Sequence, residues 1–302
     1  MPKNDWLKLA IFVDENEAIA PSNKEAIQKF VGVGKEKNIE SKVLNPYKMN
    51  FSVLDDFDAF FIRTTTQDVE NHVTRKIANY ADISGAPCLD DIRSISIGSN
   101  KIRQAELFIQ NGVTIPITKK CDAYSYHQLD FKFPCIIKNP FSCFSGGVYK
   151  ANDRQEYLKI CARESLYSHL LIQEYIETEF DWRIIILDEK PIAALKYYMV
   201  KDDFRILVQE ENGYRCGDFE CVTLKKVPPM VIDQALKSSR CVGHGLYGVD
   251  LKEKDGIVYV IEVNDNPDID AGIEDCLEGD KIYSSILDWF LDRCEDNTRY
   301  FP

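Results

Sequence analysis

Hydrophobic spacing along the chain switches repeatedly between the period of a strand and that of a helix. Leu7-Lys8-Leu9-Ala10-Ile11-Phe12-Val13 is a near-continuous apolar run of strand length, the pattern of a strand buried on both faces. From about Ser22 to Lys37, Ala26, Ile27, Phe30 and Val31 recur near helical spacing. Asp58 to Arg63 reads as a second strand and Val69 to Tyr80 as a second helix. Strand-helix-strand-helix order predicts a small parallel α/β lobe over residues 1–90. That lobe has no Gly-x-Gly-x-x-Gly run, so no dinucleotide is assigned to it.

The pattern changes in residues 91–176. Ser99-Asn100-Lys101 leads a helix through Ile102, Ala105, Phe108 and Ile109 that Asn111-Gly112 stops. Strands are expected at Thr114 to Lys119, Cys135 to Lys138, Val148 to Lys150 and Leu170 to Ile176, with a helix from about Asp153 to Ser168. Residues 177–302 open with a hairpin, Asp181 to Leu187 and Pro191 to Met199, turned at Asp188-Glu189-Lys190. Pro228 to Val242 and Asp280 to Arg293 read as helices on either side of a second hairpin.

That second hairpin carries the strongest chemical signal. Its strands are Gly248-Val249-Asp250-Leu251-Lys252 and Val258-Tyr259-Val260-Ile261-Glu262-Val263-Asn264, joined through Lys254-Asp255-Gly256. Alternation puts Glu262 and Asn264 on one face. A three-residue loop centred on Gly256 sets Asp250 opposite Glu262, whereas a two-residue loop misses by one. Carboxylates on an apolar strand need a cation or a partner to be buried. Two carboxylates and an amide oxygen are hard ligands that suit Mg²⁺ bound to nucleotide phosphates; a solvated surface hairpin is the plain alternative.

Composition narrows the class. With 302 residues, 45% hydrophobic and 28% charged, the chain is long enough for two or three lobes of an ordinary globular enzyme. No apolar run approaches the roughly 20 residues of a membrane span, and no signal-peptide pattern is seen, so a cytoplasmic location is the expectation. The net charge of −12 disfavours nucleic acid as a partner. Ten cysteines without a Cys-x-x-Cys pair read as scattered reduced thiols rather than a zinc site or disulfide framework.

An Asp on one strand and Glu-x-Asn-x-x-Pro on the next resembles the metal-binding strands of ATP-grasp ligases, and most closely those of the RimK-like ligases that attach amino acids to carboxylates. The run Asn264-Asp265-Asn266-Pro267-Asp268-Ile269-Asp270-Ala271-Gly272 extends that likeness, which covers roughly residues 90 to 295. It implies an ATP-grasp fold, in which a small parallel α/β lobe precedes two α+β lobes that clamp ATP. It also implies Asp250, Glu262 and Asn264 as ligands for Mg²⁺ (or Mn²⁺).

Lys138 ends an apolar strand just before a glycine-containing loop, where an ammonium can reach phosphates without being buried unpaired. By the resemblance, Lys101 and Lys138 match the two phosphate-binding lysines. Ser145-Gly146-Gly147 matches the loop over the phosphates, though a bare Gly-Gly is more often only a turn. The resemblance puts the adenine hinge at Gln173-Glu174-Tyr175-Ile176. Asp181 then lies near the ribose and Arg183 near the reacting groups, with a cross-strand ion pair as the plain alternative. Asp203-Phe204-Arg205 matches a second catalytic Asp-Phe-Arg, but the basic residues that follow it in RimK proper are replaced by Ile206-Leu207-Val208.

The expected activity is therefore ligation of a carboxylate to an amine, an amino acid by preference, through an acyl phosphate. A peptide or a small molecule serves as the carboxylate. The acids Asp265, Asp268 and Asp270 meet a substrate amine or merely cap the chain. No histidine among His72, His127, His169 and His244 lies in a motif, so the base that deprotonates the amine stays unassigned. Rival readings are a kinase on the same scaffold, a nucleotide-binding module without turnover, and a structural protein. The family also leads one to expect a dimer or tetramer.

Overall fold

The computed structural model describes residues 6–300, except 18, 68, 123–124, 143–145, 165–168 and 211–212 and the side chains of 296–300. The first lobe runs β1 (Leu7–Phe12), α1 (Lys24–Glu36), β2 (Ile39–Leu44), β3 (Ala59–Ile62), α2 (Val73–Ser84) and β4 (Cys88–Leu89). Its four strands pair in the order β2-β1-β3-β4 and are parallel throughout. Leu9, Ala10, Ile11 and Phe12 are fully buried because β1 lies inside a sheet covered on both faces. Asn23 caps α1 by accepting the Ala26 N–H at 2.9 Å.

The middle segment contains α3 (Ile92–Gly98), α4 (Lys101–Gln110), β5 (Thr118–Asp122), β6 (Cys135–Lys138), β7 (Val148–Ala151), α5 (Arg154–Arg163) and β8 (His169–Glu174). The strands form an antiparallel sheet, β5-β8-β6-β7. The strand expected at Thr114 to Lys119 is displaced to Thr118–Asp122. Pro116, which cannot donate to a ladder, lies in the part that stays outside.

The remainder holds β9 (Phe180–Leu187), β10 (Lys190–Tyr198), β11 (Leu207–Glu210), β12 (Gly213–Cys216), β13 (Phe219–Cys221), α6 (Pro229–Val242), β14 (Leu246–Lys254), β15 (Ile257–Asn264) and α7 (Asp280–Tyr300). One sheet runs β13-β10-β9-β14-β15, while β11 and β12 form a separate two-stranded ribbon. α7 returns to the first lobe, where Phe30 meets Tyr283 and Phe61 meets Phe290 edge-on at 4.8 and 5.6 Å. One core therefore joins β1, β3 and α1 to β9, β14 and α7. No helix among the described residues is long and apolar enough to cross a membrane.

The expectation of reduced thiols throughout is corrected at one pair. Cys221, ending β13, is disulfide-bonded to Cys276 in the segment before α7. A separation of 55 residues gave no spacing signal; the edge position of β13 brings the two together.

The turn between β14 and β15 has two residues, because Lys254 pairs with Ile257. Asp255 and Gly256 both have positive φ, 53° and 76°, as a tight Asp-Gly hairpin turn requires. Such a turn should miss the Asp250–Glu262 pairing by one residue. A β-bulge restores it: Leu251 pairs with Val260, Asp250 with Glu262, and Ile261 is the extra residue.

Candidate functional site

A cleft of about 1070 Å³ is lined by residues from every part of the chain. Among the described residues, every candidate site residue named from the sequence lines it except Gly147 and Asp203. Ser145 lies outside the described residues. Gly147 stands at the loop base, where its carbonyl accepts the Asn139 N–H at 2.8 Å. With φ of 64° and an added Cβ meeting the Asn139 Cβ at 2.8 Å, that position demands glycine.

At the expected phosphate end, the Lys101 ammonium donates to Glu262 Oε1 at 2.6 Å and to the Ser142 carbonyl at 2.8 Å. It sits at the start of α4, whose Asn100 cap accepts the N–H groups of Ile102 and Arg103. Lys138 ends β6 with 6% of its surface exposed. Burial lowers its pKa to about 8, and the nearby Lys101 acts in the same direction against the opposing pull of Glu262.

At the expected adenine end, the Gln173 side chain donates to Thr118 Oγ1 at 3.0 Å, and the Glu174 N–H goes to the Ile117 carbonyl at 2.8 Å. Tyr175 is flanked by the Lys150 ammonium, 3.8 Å from its ring centre, and by the edge of Phe204. Arg205 lines the cleft but is held by Asp203 through two 2.8 Å bonds, so its fork faces its own turn.

Asp181 accepts from Lys252 at 2.5 Å, and Lys252 also donates to Thr178 Oγ1 at 2.8 Å. Lys252 was not singled out in the sequence, yet alternation from Asp250 along β14 places it on the same face. Arg183 on β9 is the register partner of Asp250 on β14. Its Nε and Nη2 grip both oxygens of that carboxylate, the latter bond at 3.1 Å. Gly248 lets this region close up: a Cβ there would meet Pro267 at 2.7 Å and Arg183 at 3.2 Å.

Asn264 donates to Asp250 Oδ2 at 3.1 Å, so the hairpin brings Asp250 and Asn264 into contact, with Glu262 paired across the strands. Among the described residues no three His, Cys, Asp or Glu side chains are grouped to chelate a metal. The candidate set is two carboxylates and one amide. Its hard oxygen donors fit Mg²⁺, which keeps several waters and shares phosphate oxygens.

The far end of the cleft is built by the acids named from the sequence, Asp265, Asp268 and Asp270, with Arg63, which sequence reasoning missed, behind them. Arg63, fully buried, donates to Ser22 Oγ, Asn266 Oδ1 and the Pro21 and Pro267 carbonyls. Asp265 accepts from Thr66 Oγ1 at 2.8 Å, and burial pushes its carboxyl up to about 7. Asp268 faces Arg183 at 4.0 Å. Asp270 accepts the Asn23 N–H at 2.5 Å.

Comparison with known proteins agrees with this architecture. Residues 98–289 match the model of the RimK-like ATP-grasp domain. The chain is 31% identical over 209 residues to the Coenzyme gamma-F420-2:alpha-L-glutamate ligase of Methanococcus maripaludis, a match covering 63% of this chain and 70% of that one. A probable alpha-L-glutamate ligase 1 of Shewanella denitrificans is 28% identical, with 66% and 67% covered.

Among solved structures, a RimK domain ATP-grasp protein from Sphaerobacter thermophilus superposes with a TM-score of 0.70 at 15% identity, over 94% of this chain and 99% of that one. D-alanine–D-alanine ligase from Bacillus anthracis superposes at 0.66 and 16% identity, over 98% and 100%. These two likenesses are to the fold. The family match covers Lys101, Lys138, the Gln173–Ile176 segment and the β14–β15 hairpin together, and the chain belongs to the RimK-like ATP-grasp family.

Proposed function

We propose that this protein is an ATP-dependent, ADP-forming carboxylate–amine ligase whose amine substrate is an amino acid, with L-glutamate the first to test. The observation that carries the reading is the gathering of Asp250, Glu262 and Asn264 with Lys101, Lys138 and Arg183 in one cleft. The glutamate-ligase names of its relatives support the choice of amine.

Lys138 and Lys101 are placed to hold the phosphates, and the Gln173–Ile176 segment to border the base. Mg²⁺ held by Asp250, Glu262 and Asn264 would supply positive charge at the β- and γ-phosphates. Phosphoryl transfer asks the protein chiefly for positioning and charge compensation. Arg183, freed from Asp250, is positioned to offset charge on the transferring group. The carboxylate attacks the γ-phosphate to give an acyl phosphate and ADP; the amine then displaces phosphate to give the amide.

The test is Mg²⁺-dependent ADP release by wild type and Glu262→Ala, with pooled L-amino acids and, as carboxylates, short peptides and N-acetyl amino acids. Products are weighed by mass spectrometry. An amide mass gain in wild type, lost in the variant, is expected. ADP release with a phosphorylated product and no amide would replace the reading with a kinase.

A further inference from the structure

The ligase reading leaves one role empty, the group that takes a proton from the incoming ammonium. An amino acid's α-ammonium is mostly protonated near neutral pH and cannot attack an acyl phosphate until it loses a proton. None of the four histidines lines the cleft. Asp265 adjoins a candidate metal ligand. Burial pushes the Asp268 carboxyl up, but it lies 4.0 Å from the Arg183 guanidinium, an ion pair that would have to be given up for it to take a proton.

A different pair is built for the task. Tyr197 on β10 lines the cleft, with its ring centre 5.4 Å from Arg183 Cζ. It therefore stands beside the guanidinium that grips Asp250. Its hydroxyl donates to Glu274 Oε1, and the other Glu274 oxygen accepts the Asp270 N–H at 2.7 Å. Glu274 is 2% exposed. Both residues lie on the side of the cleft where Asn266, Pro267, Asp268 and Asp270 follow the metal strand.

Resting on the ligase reading, we propose that Tyr197 receives the amine proton and passes its own to Glu274. The ammonium hands one proton to Tyr197 Oη as the Tyr197 proton moves to Glu274 Oε1. The amine nitrogen then forms its bond to the acyl carbon. The bond from that carbon to the phosphate oxygen breaks, with its electron pair leaving on phosphate. The second nitrogen proton departs with the phosphate, and Glu274 returns its proton to solvent after release. Tyr197 is the catalytic residue of the two; Glu274 acts through it.

The charge environment agrees. Burial first, and Asp268 next, push the Glu274 carboxyl up to about 7. Asp270 acts the same way, while the Tyr197 hydrogen bond and the Asp270 N–H pull it down. Arg63 and Arg183 are the cations on this side, the first spent on carbonyls and the second on Asp250. A base poised near the working pH is the efficient one.

Hydroxylamine tests the relay, because it is unprotonated at neutral pH and needs no base to attack an acyl phosphate. Wild type, Glu274→Gln and Tyr197→Phe are given ATP, Mg²⁺ and the same carboxylate pool, with either pooled L-amino acids or hydroxylamine as nucleophile. Amide formation at pH 7 should fall about 100- to 1000-fold in each variant, with hydroxamate formation down less than about tenfold. Wild-type amide formation should decline below about pH 7 with a limb that the hydroxamate reaction lacks. Equal losses with both nucleophiles, or an unchanged acid limb in Glu274→Gln, would overturn the relay and leave the ligase standing. No product from wild type with either nucleophile would overturn the ligase reading and the relay with it.

Discussion

Lys138 should make the nucleotide-free protein less stable than it needs to be. Its pKa falls from the ordinary lysine value of 10.5 to about 8, with burial the main cause. That difference corresponds to roughly 3 kcal/mol of unfavourable interaction for the charged form. Below pH 8 the ammonium is charged in both folded and unfolded chains, so the full cost is present. Between pH 8 and 10.5 the folded chain sheds the proton while the unfolded chain keeps it, and stability rises with pH.

Lys138→Met removes the charge and keeps an unbranched apolar stem. It should raise unfolding free energy at pH 7 by about 3 kcal/mol or somewhat less, and the gain should shrink to near zero above pH 10.5. Urea unfolding of both proteins at pH 7 and pH 10.5 measures this. The same variant should bind ATP about 10- to 100-fold more weakly, for loss of a charged hydrogen bond. Calorimetry in buffers of different ionisation enthalpy adds a second reading. At pH 9 wild type should take up about 0.9 proton on binding ATP, as phosphate restores the ammonium. A variant that is less stable at pH 7, or a stability difference indifferent to pH, would refute the reasoning.

Three further outcomes follow from the same geometry. Glu262→Gln should cost about 3 kcal/mol by leaving the buried Lys101 without its carboxylate, and Lys101→Met in the same chain should recover much of it, as a double-mutant cycle in denaturant would show. Although burial alone would raise it, the Glu262 carboxyl is held below its usual value by Lys101 and Lys138. The stability this contributes is present above the ordinary glutamate pKa of 4.5 and lost as pH falls below it, so the deficit of Lys101→Met should narrow in acid. Arg63→Met strands two carbonyls and Asn266, and should lower stability by at least about 2 kcal/mol. It should also raise the Mg²⁺ concentration needed for nucleotide binding, measured by titration.

What the sequence disclosed follows physical lines. Cys135–Lys138 emerged with the bounds read from its apolar run, because a short strand buried on both faces leaves no competing pattern. β2 escaped notice: Ile39-Glu40-Ser41-Lys42-Val43-Leu44 is an edge strand, half of it exposed, with three successive polar residues, Glu40, Ser41 and Lys42, at its middle. β11 to β13 are likewise largely exposed, and none of their residues is buried, so no apolar face marks them. The bulge at Ile261 was invisible because register depends on the turn and ladder together. Its effect is that the adjacent residues Ile261 and Glu262 both line the cleft, which simple alternation forbids. The Tyr197–Glu274 bond spans 77 residues and Arg63 reaches more than 200, so neither has a local signature.

The charge arrangement of the cleft gives these pieces a common logic. Asp250 is gripped by Arg183, Glu262 by Lys101 and Asp181 by Lys252, so each of these three carboxylates carries its own cation. Two of those carboxylates are the candidate metal ligands. Coordination there would compete with Arg183 and Lys101 and turn both toward the phosphates, where negative charge arrives with the nucleotide. Among the described residues Lys138 has no carboxylate bonded to it and feels Glu262 only at longer range, so burial leaves its proton the loosely held one. Nucleotide and metal would then enter as a nearly neutral unit, each cation exchanging one anion for another. A cleft wired this way favours joint binding over either ligand alone: ATP without Mg²⁺ meets carboxylates still needing cations, and Mg²⁺ without ATP releases cations with no phosphate to receive them.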